Sequence, residues 1–476
     1  MFVKLVIFLS LYNVIFISAK YTCKLTNSLK TEIQSYKDIV ERIKNAVVEK
    51  NAPFRNFTWN ELAMFVDKYG SRIAGSENLE NSIDFLLDRL KNTYGIRNVH
   101  GEEAEVPHWI RGEESAYLIK PRPLKLAILG LGGSVGTDEQ GITASVVVVK
   151  SFDELRNTSD KVRGKIVVFN EKYVSYGETV QYRSNGASEA GKLGAAAVLI
   201  RSIAPFSISS PHTGAQSYSG PRKIPTACIS IEDAQLLQRF YDRGIPMQIQ
   251  LKMGARQLPT AISRNIVSEI PGSEKPDEIV LVSGHIDSWD VGQGAMDDGG
   301  GAFISWTSLH ILDQLNLQPK RTIRSVLWTA EEEGYWGARS YLKNHLNEIK
   351  NLTVVMESDE GTFTPTGLEF YGSEKAACIL EEILNLFGPF NATLLQHSSY
   401  PVGSDIGLWQ DKGVPGVSLG NKNGRYFWYH HSEGDMMTVE NPADLDLCTA
   451  VWASTAYILA DLSVTLPRNI QRFPSQ

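Results

Sequence analysis

Residues 278–306 read EIVLVSGHIDSWDVGQGAMDDGGGAFISW, and this stretch decides the fold. It begins as a short apolar run rich in β-branched side chains, the pattern of a strand buried on both faces. A glycine-rich turn follows, and then GAFISWTSLHILDQL (301–315), long enough and apolar enough for a buried helix. The same texture continues downstream in TIRSVLWTA (322–330), YWGARSYLKNHL (335–346), LTVVMES (352–358) and VPGVSLG (414–420). Strand runs alternating with helical stretches predict an α/β fold with a mixed, largely parallel sheet flanked by helices. In open sheets of this kind ligands bind beyond the carboxyl ends of the strands.

Those ends carry the candidate chemistry. The first run is followed by His285 and Asp287, and its glycine-rich turn holds Asp297 and Asp298. Glu331, Glu332 and Glu333 follow TIRSVLWTA, Asp359 follows LTVVMES, and Tyr429-His430-His431 comes after VPGVSLG. Any one of these carboxylates alone reads as a solvated loop residue. Two histidines and several carboxylates at consecutive strand ends read instead as nitrogen and oxygen ligands for a borderline cation such as Zn²⁺. Neighbouring carboxylates in EEE cannot all face one point, so one can ligate while another acts as a base. Adjacent side chains in an extended segment diverge, so one histidine of the 430–431 pair is expected on the metal. Spacing alone does not choose between Asp297 and Asp298, Glu331 and Glu332, or His430 and His431.

Competing signatures are weaker. Gly132–Gly136 and Gly416–Gly420 both match G-x-S-x-G, but no acid lies between Ser418 and His430 to complete a hydrolase triad in the expected order. The chain has no HExxH helix and no phosphate-binding G-x-x-x-x-G-K-[ST] loop. His108, His212, His310, His345 and His397 occur singly and read as structural.

Outward from the core stretch, residues 116–264 change texture to short β-branched runs punctuated by Gly, Pro and Ser, such as ASVVVVK (144–150), GKIVVF (164–169) and EAGKLGAAAVLI (189–200). They predict a separate small domain inserted into the main one. Helices are expected within 31–50, in NELAMFVDKYG (60–70) with Gly70 as its stop, and in ENSIDFLLDRLKNTYG (80–95). Residues 1–19, MFVKLVIFLSLYNVIFISA, read as a signal peptide. Sequons at Asn56, Asn157, Asn351 and Asn391 agree with N-glycans in the secretory pathway. Four scattered cysteines are too few for a disulfide scaffold and read as buried thiols or one bridge. A net charge of −7 without a basic stripe argues against nucleic acid as a partner, and no later segment reaches the roughly 18 apolar residues of a membrane span.

Four stretches together, GHIDSWDVGQGAMDDGGGAFISW (284–306), LWTAEEEG (327–334), VVMESDEGTFTPTGL (354–368) and YHHSEGD (429–435), resemble the co-catalytic zinc aminopeptidase and carboxypeptidase family. The resemblance implies two zinc ions per subunit, with Asp297 bridging, His285 and Asp359 on one ion, and Glu332 and His431 on the other. It implies Glu331 as the general base that activates a zinc-bridging hydroxide, Asp287 as the carboxylate orienting His285, and a cis peptide between Asp297 and Asp298. The substrates it implies are short peptides, especially dipeptides with free termini, with an aminopeptidase of the same family as the alternative. A receptor-like binding protein that has lost its metals is the remote one. The resemblance further implies a propeptide over 20–44, a catalytic domain formed by 45–115 and 265–476, and a protease-associated domain over 116–264. It also implies a homodimer, and secretion with lysosome, endoplasmic reticulum and Golgi as further compartments. The sequence departs from the wider pattern where relatives place a tyrosine before the last metal-binding histidine. His430 stands there, a candidate donor to the reaction intermediate, and Glu433 adds charge beside it.

Overall fold

The computed structural model describes residues 24–468. The expected signal peptide and residues 20–23 of the expected propeptide lie outside them. Four parallel strands form the middle of the first sheet: β1 (Lys275–His285), β2 (Arg321–Trp328), β3 (Leu352–Glu357) and β4 (Gly416–Asn421). Their spatial order is β2-β1-β3-β4. Arg256–Ile270 and then Arg97–Ile110 extend the β2 edge antiparallel, and Pro365–Tyr371 followed by Leu394–His397 extends the β4 edge, completing eight strands. The architecture is thus the mixed, largely parallel α/β sheet that the alternation predicts.

The order explains where a site can form. After β1 the chain crosses to β2 on one side and then to β3 on the other, opening a crevice at the carboxyl ends of β1 and β3. Residues Ile279 through His285 of β1 are buried, because helices cover both faces of the sheet. One face carries Gly300–Gln314, whose residues 300–312 are all buried, and beside it Pro442–Asp461, each packed directly on strands of the sheet. Contact with the sheet, with Pro442–Asp461 at its side and with Phe57–Tyr69 accounts for the nearly all-round apolar character of GAFISWTSLHIL. On the other face Trp328, Tyr341, Ile406 and Trp409 close a second core. Each aliphatic side chain fully buried in this way contributes roughly 1.5–3 kcal/mol.

Glycine lets the helix approach the strand ends. A Cβ on Gly301 would come within 1.8 Å of the Ser358 carbonyl oxygen, and one on Gly284 within 2.4 Å of the Ala302 nitrogen. Any side chain there would push the helix N-terminus away from the crevice.

A second sheet of eight strands spans Glu114 to Met253, with apolar clusters on both faces. Helix Tyr176–Lys192 packs on one of them. The chain leaves the first sheet after Ile110 and rejoins it at Arg256. At the amino end the helix expected within 31–50 divides at Tyr36 into Asn27–Ser35 and Lys37–Val47. Ile33, Tyr36, Val40 and Ile43 from these helices are buried in the main core. Phe57–Tyr69 ends at Gly70, as its sequence predicts, with φ 60°. Cys228 and Cys448 are buried free thiols. Among the described residues no helix is long and apolar enough to cross a membrane.

Candidate metal centre

His285 is the last residue of β1 and is fully buried. Its Nδ1 lies 3.0 Å from the Asp287 carbonyl oxygen, which fixes the proton on Nδ1 and leaves Nε2 bare. That Nε2 is 3.4 Å from Asp297 Oδ1, 3.4 Å from Asp359 Oδ1 and 3.9 Å from Glu331 Oε2. The Asp287 carboxylate sits 3.6 Å from Nδ1 and accepts hydrogen bonds from the backbone nitrogens of Glu331 (3.0 Å) and Glu332 (3.3 Å). Asp287 therefore orders both the imidazole and the turn that carries the glutamates.

That turn lies between Ala330 (φ 53°) and Tyr335 (φ 62°), two non-glycine residues in the left-handed region. Such conformations cost about 1–2 kcal/mol each and persist where surrounding contacts hold them. The peptide between Asp297 and Asp298 is cis. The two carboxylates face different ways. Asp298 accepts hydrogen bonds from the His285 nitrogen (3.0 Å) and the Gly301 nitrogen (3.1 Å), fastening the helix N-terminus to β1. Asp297 points into the crevice, its Oδ2 3.3 Å from His431 Nε2 and 3.6 Å from His430 Nε2. His431 Nε2 is also 2.9 Å from Glu332 Oε2.

The expectation that the two adjacent histidine rings diverge does not hold. They stack at 3.5 Å between centroids and 19° between planes. The reason is local: His431 has φ 59°, so the segment is not extended and the alternation of a strand does not apply. Both rings consequently face Asp297.

Electrostatics alone makes this an expensive arrangement. Burial would raise Asp297, but the imidazoles of His285, His430 and His431 outweigh it and hold its carboxyl well below the ordinary range. Burial pushes Glu331 and Glu332 well up, and neighbouring carboxylates add to it against the pull of His285. Burial likewise lowers His430 well below the usual imidazole range, with His431 adding to it. His285 Nε2, Asp297 Oδ2 and Asp359 Oδ1 are buried without a hydrogen-bond partner. Among the described residues the donor atoms of His285, Asp297 and Asp359 lie within 4.8 Å of one another, as do those of Asp297, His430 and His431. Orphaned nitrogen and carboxylate donors converging on shared points suit borderline divalent cations, and Asp297 belongs to both groups.

A cavity of about 470 Å³ lies over these groups and is bordered by Tyr176 and Arg183 of the second-sheet helix as well as by Glu331, Asp359 and Tyr426. Several supporting residues are given no role by the sequence. Asp435, buried, accepts from the backbone nitrogens of Ala295 (3.1 Å), Met296 (2.8 Å) and Asp297 (3.2 Å). Arg72, fully buried, donates to the carbonyls of Ile286 (2.8 Å), Gln293 (2.7 Å) and Gly294 (3.0 Å), pinning the loop between β1 and Asp297. Asp435 stands within the YHHSEGD stretch; Arg72, Tyr176 and Arg183 stand in stretches with no motif. Of the two G-x-S-x-G serines, Ser134 is buried and its Oγ accepts from the Thr226 nitrogen, while Ser418 lies within β4 rather than on a strand-to-helix elbow.

Comparison with known proteins identifies the family. Residues 265–456 match the model of peptidase family M28. Carboxypeptidase Q of Pongo abelii is 53% identical over 442 residues, covering 93% of this chain and 93% of that protein. A peptidase M28 precursor from Shewanella amazonensis SB2B superposes with a TM-score of 0.87 at 31% identity, over 92% of this chain and 100% of that one. A zinc aminopeptidase from Bacillus subtilis shares the fold at TM-score 0.65 and 19% identity, over 87% and 97%.

Proposed function

This chain belongs to peptidase family M28 and is a zinc metallopeptidase, and from that premise we propose that it is a two-zinc exopeptidase hydrolysing short peptides, chiefly dipeptides with free termini. The observation that carries the reading is the convergence on Asp297 of two groups of buried donors with orphaned atoms. In this reading His285 and Asp359 would hold one zinc and Glu332 and His431 the other, with Asp297 common to the two sets. When bound, zinc supplies Lewis acidity toward a peptide carbonyl and lowers the pKa of water beside it.

The protein's own groups do the rest. Glu331, whose carboxylate stands 3.9 Å from His285 Nε2, takes a proton from the attacking water and delivers it to the leaving amine. Asp287 holds Glu331 and Glu332 by their backbone nitrogens, so base and ligand keep separate directions. His430 lines the cavity and offers a donor to the tetrahedral intermediate. The cavity's volume of about 470 Å³, with Tyr176 and Arg183 among its walls, favours short substrates over polypeptides. We further propose that the unit expected over 116–264, whose sheet runs from Glu114 to Met253, is a protease-associated domain that supplies one wall of this cavity. The signal peptide and sequons support export, and a homodimer is the expected assembly.

The test is metal analysis joined to a panel of free and N-blocked dipeptides. Two zincs per chain and cleavage of free dipeptides, both abolished by a chelator, support the proposal. Activity that survives complete metal removal sinks it, and cleavage of N-acylated dipeptides excludes a required free amine. For His430→Ala, lower turnover with two zincs retained supports the donor role, whereas a fall in zinc content makes His430 a ligand.

A further inference from the structure

We propose that the second-sheet unit builds part of the metal centre, with His212 as a positioning residue that locks the His430–His431 backbone and thereby aims the His431 ring. The inference rests on the zinc reading above. His212 Nδ1 donates to the His430 carbonyl oxygen at 2.5 Å. The next residue, Thr213, donates its backbone N–H to the His431 carbonyl at 2.8 Å. Its own carbonyl oxygen lies 3.3 Å from His431 Nδ1 and also accepts from Arg183 Nη1 at 3.3 Å. Two consecutive residues of one unit thus grip two consecutive residues of the other.

Three features make this grip specific. His431 occupies the left-handed position of a turn closed by the Ser432 nitrogen and hydroxyl on the Tyr429 carbonyl (3.1 and 2.7 Å), and His212 and Thr213 hold the two carbonyls inside that turn, those of His430 and His431. The Thr213 carbonyl stands closer to His431 Nδ1 (3.3 Å) than the competing donor Arg183 Nη1 does (3.5 Å), which favours the ring proton on Nδ1 and leaves Nε2 free to face Asp297 and Glu332. Finally, His212 is buried with Nε2 lacking any partner. Packing alone would favour an apolar side chain of similar size over an imidazole with an orphaned nitrogen. Its single hydrogen bond to His430 is what the ring contributes. The anchor is firm, because the His212 nitrogen donates to Ser202 Oγ, which donates to the Ile229 carbonyl at the end of a second-sheet strand.

The experiment titrates zinc into metal-free full-length protein against a competing chelator. The variants are His212→Leu, which removes the donor; His212→Asn, whose amide nitrogen overlays Nδ1; and His212→Gln, whose amide nitrogen overlays Nε2 instead. Wild type is expected to bind two zincs. His212→Leu and His212→Gln are expected to weaken one of them about 10- to 100-fold and leave the other unchanged, the size typical of lost outer partners. His212→Asn is expected to restore wild-type binding, and kcat of the two impaired variants to fall with KM nearly constant. Should His212→Leu not fold, His212→Gln carries the comparison. Wild-type binding of both zincs in the impaired variants, equal weakening of both zincs, or failure of His212→Asn to rescue overturns the clamp while leaving the zinc reading intact. A wild type that binds no zinc overturns both.

Discussion

Replacing Asp435 tests whether the crevice depends on a residue that touches no candidate metal donor through its own carboxylate. Asp435 is 3% exposed, and its two oxygens accept from three consecutive backbone nitrogens, those of Ala295, Met296 and Asp297. Asp435→Ala leaves three buried N–H groups without an acceptor, at about 1–3 kcal/mol each. The three belong to one network, so their sum of about 3–9 kcal/mol is a ceiling. Some of it is recovered because a buried carboxylate disappears. A net loss of about 3 kcal/mol is expected. Asp435→Asn keeps one oxygen, which still serves Ala295 and Met296, and turns an amide donor toward the Asp297 nitrogen, so about 1–3 kcal/mol is lost. Thermal unfolding at matched scan rates should rank wild type above Asn above Ala. Zinc affinity should fall in the same order, since the backbone that aims Asp297 is released. An Ala variant that melts within about 1 kcal/mol of wild type and binds zinc equally well would refute the reasoning.

Glu331→Gln keeps shape and removes the base, so kcat should fall about 10²- to 10⁴-fold with both zincs retained; full activity with two zincs bound excludes Glu331 as the base. His345 donates to Glu102 at 2.9 Å, and that hydrogen bond raises its pKa above the ordinary imidazole value, against the opposing effect of burial. A histidine raised on folding stabilises fully below about pH 6.5 and loses that contribution as pH climbs through the folded value. Between pH 6 and 8, roughly, the melting temperature of wild type should therefore fall relative to His345→Gln, and parallel curves would rule the linkage out. Cleavage after Lys44 would cut within helix Lys37–Val47 and detach Ile33, Tyr36, Val40 and Ile43 from the core. Each large-to-small loss at such positions costs about 2–5 kcal/mol, so a chain lacking residues 24–44 should melt far below the longer one or aggregate; equal melting temperatures would show the segment to be dispensable.

How much of this was legible depends on what each residue's pattern reports. Strands β1 and β3 announce themselves because burial on both faces leaves apolar runs, IVLV and VVM. The ribbon of Arg97–Ile110 and Arg256–Ile270 does not: its outer portions are largely exposed and hold Glu102, Glu103, Arg256 and Gln257, so apolar runs are missing although the pairing is long. The metal-facing residues stand out as polar side chains at apolar strand ends. Which member of a pair faces the crevice is a matter of backbone torsion, as the stacked rings of His430 and His431 illustrate. The torsion at His431 belongs to a four-residue turn closed by the Ser432 nitrogen on the Tyr429 carbonyl, while the groups that hold the carbonyls of His430 and His431, His212 and Thr213, lie more than two hundred positions away in the chain.

The same distance separates domain boundaries from functional ones. Covalently, the crevice belongs to the first sheet, since His285, Asp297, Glu331, Glu332 and Asp359 all follow its strands or open its central helix. Yet the last pair, His430 and His431, follows a four-residue helix with no sheet partner to hold it. Tyr176 stacks on Phe427 at 5.0 Å, and Phe206 stacks on Trp428 at 4.5 Å, so aromatic rings of the second-sheet unit grip that helix from the side while His212 and Thr213 grip the residues after it. The segment from His430 to Asp435 is tied at its far end to residues 295–297 by Asp435 and at its near end by the second-sheet unit. Held from outside, it can present two buried imidazoles to Asp297 in one geometry, which is the preorganisation that a centre with several convergent ligands needs. The second-sheet unit is therefore better counted as half of the site's scaffold than as a lid over a finished one.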